Sequence, residues 1–126
     1  MQAALLVFFG AGLGGTLRHG VNLAALRLGA GSLPYGTLFI NVAGSFAMGL
    51  LAGWFAARGE FASQPIRLFL MTGVLGGFTT FSAFSLETVL LWERGEGASA
   101  AAYVAASVCL SLAGLVAGLA VVRSLS

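Results

Sequence analysis

Phe81 and Phe84 stand three residues apart in an apolar run, preceded by Thr79 and Thr80 and interleaved with Ser82 and Ser85. At that spacing both rings project from one side of a helix. A phenyl ring has a negative face and a positive edge, so two rims turned inward can receive an anion without any formal positive charge. Neutral donors recur elsewhere in the chain. Thr37, Asn41 and Ser45 fall every four residues, as do Tyr103, Ser107 and Ser111, and each set makes one polar stripe on a helix. Asn41 offers amide N–H groups and the others offer O–H groups. A small, hard anion is costly to dehydrate and needs several such donors close together. Arg18 is suited to raise the local anion concentration at an entrance without holding the ion so tightly that exit becomes slow.

These residues need elements that survive in hydrocarbon. Of the 126 residues, 59% are hydrophobic and 8% are charged, with a mean hydropathy of +0.99. Too few ionised groups are present for a soluble domain of this size. The sequence predicts an all-α membrane protein, one integral domain over residues 1–126. A spanning helix takes about 20 residues, and four apolar segments qualify: about 3–26, 35–57, 66–92 and 100–122. Leu28–Pro34, Arg58–Pro65 and Glu93–Ser99, rich in Gly, Ser, Pro and charge, read as connections.

The third segment carries Gly76 and Gly77 directly before the Thr/Ser/Phe string. Each glycine weakens a helix by about 1 kcal/mol relative to alanine, and glycine also adopts backbone angles closed to other residues. A helix broken near Gly76–Thr80 is therefore expected. In lipid such a break persists only where protein buries it or where it faces a polar cavity, which makes it a natural place to bind an ion or small solute. Gly10 and Gly14, Gly49 and Gly53, and Gly114 and Gly118 are each four apart and predict smooth faces for close helix contact.

The six basic side chains are all arginine, too scattered for a nucleic-acid surface. Arg58, Arg67 and Arg123 fall on one side of the four spans, and Arg27 and Arg94, with Arg18 if it sits near that end, on the other. That balance gives no firm instruction for insertion, so insertion in both orientations and head-to-tail pairing are expected. Four short helices also make a poor enclosure for a pathway, which favours an antiparallel homodimer with the inverted symmetry of larger transporters. The apolar stretch before Arg18 reaches only about 22 Å at 1.5 Å per residue. Arg18 therefore lies near one edge of the ~30 Å hydrocarbon core or faces a wet cavity. The single Cys109 excludes an intrachain disulfide. The N-terminus lacks the basic region of a cleaved leader. Neither metal-ligand spacing, a nucleophile–base pair nor a phosphate loop is present, so an enzyme is not expected.

GAGLGGTLR at 10–18, GTLFINVAGSF at 36–46 and GGFTTFSAFSLET at 76–88 closely resemble the Fluc (CrcB) fluoride-channel family in motif order and over the whole chain. The resemblance implies a dual-topology antiparallel homodimer in the cell membrane, with two pores for passive, fluoride-selective export that lowers cytoplasmic fluoride. It implies that Phe81 and Phe84 are the pore phenylalanines and Asn41 the pore asparagine. Tyr103, Ser107 and Ser111 become a polar track and Arg18 a vestibule arginine. Gly76 and Thr79 match positions whose backbone carbonyls hold a structural sodium ion at the dimer axis. Ala83 stands where the family often has threonine, which removes one hydroxyl.

Each residue also has a plainer use. The phenylalanines suit packing or lipid contact, and the hydroxyls suit bonds to carbonyls one turn back. Tyr103, like Tyr35, Trp54 and Trp92, suits an interfacial belt. Arg18 suits snorkelling to headgroups. Glu87 suits pairing with an arginine near the membrane edge or shaping the track, and His19 an interfacial bystander. A small dual-topology, proton-coupled exporter of organic cations is the competing function. It needs an early intramembrane carboxylate, whereas Glu87, late in the third span, is the sole candidate. A proton-coupled fluoride antiporter meets the same objection.

Overall fold

The computed structural model describes residues 1–29, 31, 33–59 and 63–125. Among the described residues the chain is helical throughout, with no strand. Helix α1 is Gln2–Arg27 and α2 is Tyr35–Arg58. Helix α3 covers residues 64–78, α4 is Phe81–Glu93 and α5 is Gly97–Leu125. Taking α3 and α4 together, four helical segments of 24 to 30 residues are long and apolar enough to cross a membrane, with mean hydropathies from 1.2 to 2.3. The protein is a multi-pass integral membrane protein. The expected spans agree with these limits to within three residues at every end. Of the expected connections, Ala30 and Ser32, and Glu60, Phe61 and Ala62, lie outside the described residues. The turn after α4 is fully described. Gly95 takes φ 81, its N–H donates to the Trp92 carbonyl, and the Glu96 N–H donates to Leu91. This pair of bonds closes a helix end through a left-handed residue, for which glycine is the unstrained choice.

The break in the third span is present, but it sits after the paired glycines. Gly76 is helical at φ −62 and ψ −37, and residues 76–78 continue the helix. Thr79 (ψ 158) and Thr80 (ψ 122) are the extended residues. Hydroxyl chemistry accounts for the position. The Thr79 hydroxyl donates back to the Leu75 carbonyl at 3.0 Å, and the Thr80 hydroxyl accepts the Ala83 N–H at 3.2 Å to cap α4. The glycines serve close approach instead. A β-carbon at Gly77 would strike the Ala11 carbonyl oxygen and lie 2.8 Å from the Ala11 Cα. Upstream, Leu68–Leu75 winds as a π-helix, a rare i→i−5 geometry that the apolar pattern did not announce.

Two glycine-mediated contacts build the bundle. A β-carbon at Gly10 would lie 2.6 Å from the Phe69 carbonyl oxygen and 2.9 Å from the Gly73 Cα, and one at Gly14 would lie 2.7 Å from the Phe78 nitrogen, so α1 rides directly on α3. On the other side, Gly49 faces the Leu115 carbonyl and Gly118 the Phe46 carbonyl, both at contacts that leave no room for a methyl group, and α2 seats on α5. The expected small-residue faces are these two seams. A small cluster of Phe84, Leu91, Ala100 and Tyr103 joins α4 to α5. Ile40, Phe55 and Leu75 are the other buried large apolar side chains among the described residues. Phe8, Phe9, Leu13 and Leu17 on α1 stand exposed, a surface suited to lipid or to another apolar protein face.

Candidate functional site

The break is held open by Asn41 on α2. Its Nδ2 donates to the Thr80 carbonyl at 3.0 Å, and its Oδ1 accepts the Thr80 N–H at 2.9 Å. One amide side chain thus satisfies both backbone groups of a residue that has left the helix, as a neighbouring strand would. In an unbroken helix the Thr80 N–H would close onto the Gly76 carbonyl. Turned to Asn41, it leaves that carbonyl without its helical donor. Arg18 reaches the same region from α1, its Nη1 lying 3.4 Å from the Thr79 carbonyl oxygen. Arg18 therefore contacts the backbone of a neighbouring span beside the break.

Beside the break lies a cleft of ≈ 350 Å³ between α2, α4 and α5. Asn41, Ser45, Phe81, Phe84, Ser107 and Ser111 all line it, together with the threonines of the break, and no ionised side chain does. The two rings are 5.4 Å apart with planes inclined at 58°. Phe84 is buried at 9% exposure, whereas Phe81 is 78% exposed at the open side of the cleft. The Ser107 hydroxyl is buried with no hydrogen-bond partner among the described residues. A buried hydroxyl without a partner costs about 1–3 kcal/mol, so Ser107 has a donor to spare on this wall. It does not bond back along its own helix as Thr16, Ser85 and Thr88 do.

The break also gives the cleft a polarity. Helix α4 begins at its edge, and a helix N-terminus carries roughly half a unit of positive charge. Thr80 and Phe81, at that terminus, line the cleft. The end of α3 contributes the opposite sign through carbonyls such as that of Gly76. A broken span thus sets an anion-seeking end and a cation-seeking end a few residues apart.

Tyr103 is brought behind the cleft rather than into it. It is 3% exposed, its ring lies 5.2 Å from that of Phe84 with the planes tilted by 50°, and its hydroxyl donates to Glu87 at 3.3 Å. Burial overturns its belt role. Tyr35, Trp54 and Trp92 are exposed at helix ends as a belt requires. The other Glu87 oxygen accepts the Thr37 hydroxyl at 3.0 Å. Glu87 thus takes two neutral hydroxyls instead of an arginine, and it is absent from the lining of the cleft. This trio was not foreseen as a unit, although Thr37 begins one stripe, Tyr103 begins the other, and Glu87 lies three residues beyond Phe84. Thr80 was also overlooked as a site residue. Its signal is a threonine directly before the first residue of a resuming helix, the N-cap position.

Residues 5–119 match the family described as CrcB-like protein, Camphor Resistance (CrcB). The chain belongs to the CrcB family. Relatives within reach of direct alignment carry fluoride names. The fluoride-specific ion channel FluC of Methylobacterium nodulans is 66% identical over 123 residues, 98% of each chain. The fluoride-specific ion channel FluC 2 of Nitrobacter hamburgensis is 60% identical over 122 residues, covering 97% of this chain and 98% of that one. The fluoride-specific ion channel FluC of Granulibacter bethesdensis is 57% identical over 125 residues, 99% of this chain and 98% of its own. In this CrcB protein the motif-bearing segments of α1, α2 and the third span all meet at one place, the break at Thr79–Thr80.

Proposed function

We propose that this CrcB protein is a passive, fluoride-selective channel that lets fluoride leave the cell and lowers its cytoplasmic concentration. The observation that carries the reading is a cleft with donors and ring carbons but no charge: Phe81, Phe84, the Asn41 amide and the partnerless Ser107 hydroxyl converge on it. Such a wall replaces the water of a small anion by directed O–H and N–H groups, and it lacks a fixed cation that would slow release. Arg18 sits one carbonyl away and lends positive potential without touching the ion. Ser111 extends the same wall along α5, and Tyr103 holds Phe84 in place from behind.

The cleft of one chain is open where Phe81 is exposed, so the working unit is an antiparallel homodimer in which the second copy closes each of two pores. At its axis the carbonyls of Gly76 and Thr79 from both chains would hold a structural sodium ion, the Thr79 oxygen offering it the lone pair that Arg18 leaves free. The freed Gly76 carbonyl at a helix C-terminus is the donor chemistry that a hard monovalent cation takes. Two such oxygens per chain do not complete a shell, which ties the ion to the pairing.

Liposomes bearing the purified protein and loaded with both halides provide the test. Fluoride is expected to leave at least about a thousandfold faster than chloride, a discrimination near 4 kcal/mol, and to do so without an imposed pH gradient. Equal release of the two ions would remove the channel reading, and a requirement for the gradient would replace passive flow by coupling. Exchange of sodium for a bulky organic cation during purification is expected to shift the protein from dimer to monomer in size-exclusion chromatography. A dimer that persists unchanged would remove the sodium ion from the scheme.

A further inference from the structure

We propose that the end of the molecule where α2 stops and α3 starts binds the phosphodiester headgroup of an anionic membrane lipid. Two arginines are fixed there by aromatic rings. The Arg58 guanidinium carbon lies 4.6 Å from the Trp54 ring centre and that of Arg67 lies 5.5 Å from the Phe55 ring centre. The two rings adjoin at 5.1 Å. Phe55 is 2% exposed and Trp54 39%, so one ring anchors the pair in the bundle while the other forms its rim. A guanidinium over a ring keeps its N–H fork at the edge, in the geometry that pairs with phosphate oxygens.

The surroundings select the partner. Among the described residues neither Arg58 nor Arg67 has a carboxylate within salt-bridge reach, whereas at the opposite end Arg94 and Glu96 approach to 3.6 Å. The Val122 side chain packs on Gly53, which brings the Arg123 position to the same end as Arg58. Arg58 and Arg67 have one nearby acid in the sequence, Glu60, which lies outside the described residues. The other end balances Arg27 and Arg94 with Glu93 and Glu96. The flanking surface is apolar and lies at the ends of two spans, with Ile66 47% exposed beside Arg67. A headgroup that brings its own acyl chains fits this surface better than a free phosphate, and basic sites between spans are recognised lipid sites. The proposal stands on the membrane fold alone and does not depend on which ion the cleft conducts.

Trp54 is a built-in reporter, because the chain has two tryptophans and W92F leaves it alone. In detergent, brominated-chain phosphatidylglycerol is expected to quench W92F at a roughly thirtyfold lower mole fraction than brominated phosphatidylcholine, the scale set by two arginines at a surface. R58Q/R67Q in that background should bring the two lipids together, while R27Q/R94Q, with the same loss of charge at the other end, should keep the preference. Should the double variant fail to elute as folded protein, R58Q alone, at an exposed side chain, is expected to reduce the preference by at least half. Equal quenching by both lipids in W92F would overturn the proposal. So would an equal loss in R27Q/R94Q, which marks diffuse charge, or abolition of the preference by excess inorganic phosphate, which marks a free-anion site.

Discussion

Phe84→Ile and Phe81→Ile are each expected to lower fluoride flux from liposomes by about a hundredfold or more, equivalent to ~2.7 kcal/mol at ~1.4 kcal/mol per decade. The dimer should remain intact in both. Isoleucine fills much of the space of phenylalanine but has no polarised rim, so the change removes the ring quadrupole and spares most of the packing. The two positions differ in what else they touch. Phe84 is buried against Tyr103, and its loss forfeits an aromatic pair worth ~0.5–1.5 kcal/mol. Phe81 pairs with Phe84 as well but is largely exposed in one chain, so Phe81→Ile should lower the unfolding midpoint by less than Phe84→Ile does. A variant that is nearly as stable as the parent yet transports a hundredfold less shows that the ring acts on the ion. Unchanged flux in both variants would make the rings packing residues, and the cleft would need another explanation.

The architecture was legible because lipid leaves few options. Apolar length fixed the four spans, and glycines at a spacing of four marked both helix seams, since only a hydrogen at those positions admits the facing carbonyl. The break was legible in kind and in place, since Thr79 and Thr80 lie at the far end of the expected Gly76–Thr80 stretch, but its cause was not. Paired glycines advertise backbone freedom, yet here they keep helical angles and let α1 close on α3. The chain departs from the helix at Thr79 and Thr80, where hydroxyls replace the lost helical bonds. At the cleft, Asn41, Phe81, Phe84, Ser107 and Ser111 were recoverable from spacing and family likeness, because residues on one helical stripe reach one cavity together. What spacing cannot give is a partner on another helix. Glu87 between Thr37 and Tyr103, and Arg18 on the Thr79 carbonyl, depend on the relative height and rotation of helices, which no single stripe encodes. The π-helical stretch belongs to the same class, since it changes the register of α3 without changing its apolar composition.

Asn41 both holds the break and lines the cleft, and a pair of substitutions separates the two roles. Asn41→Ala strips the Thr80 N–H and carbonyl of their partner at once, deep in a membrane span. Each stranded group costs about 1–3 kcal/mol, so a loss of ~2–6 kcal/mol is expected in unfolding measurements, with heightened protease sensitivity at the break and no measurable flux. The alternative open to the mutant is for the Thr80 N–H to return to Gly76 and heal the helix. That would recover part of the stability but occupy the Gly76 carbonyl and turn α4 out of line, so transport is expected to be lost on either route. Ser107→Ala makes the contrast. Its hydroxyl has no partner to strand, and removing a buried, unsatisfied polar group is expected to leave stability unchanged or raised by ~1 kcal/mol while fluoride flux falls. Both residues touch the same cleft, so loss of flux alone cannot tell a strut from a donor; the opposite directions in stability do. If Asn41→Ala unfolds no more readily than Ser107→Ala, the two bonds to Thr80 are not what holds the span apart, and the origin of the break must be sought in the seam between α1 and α3.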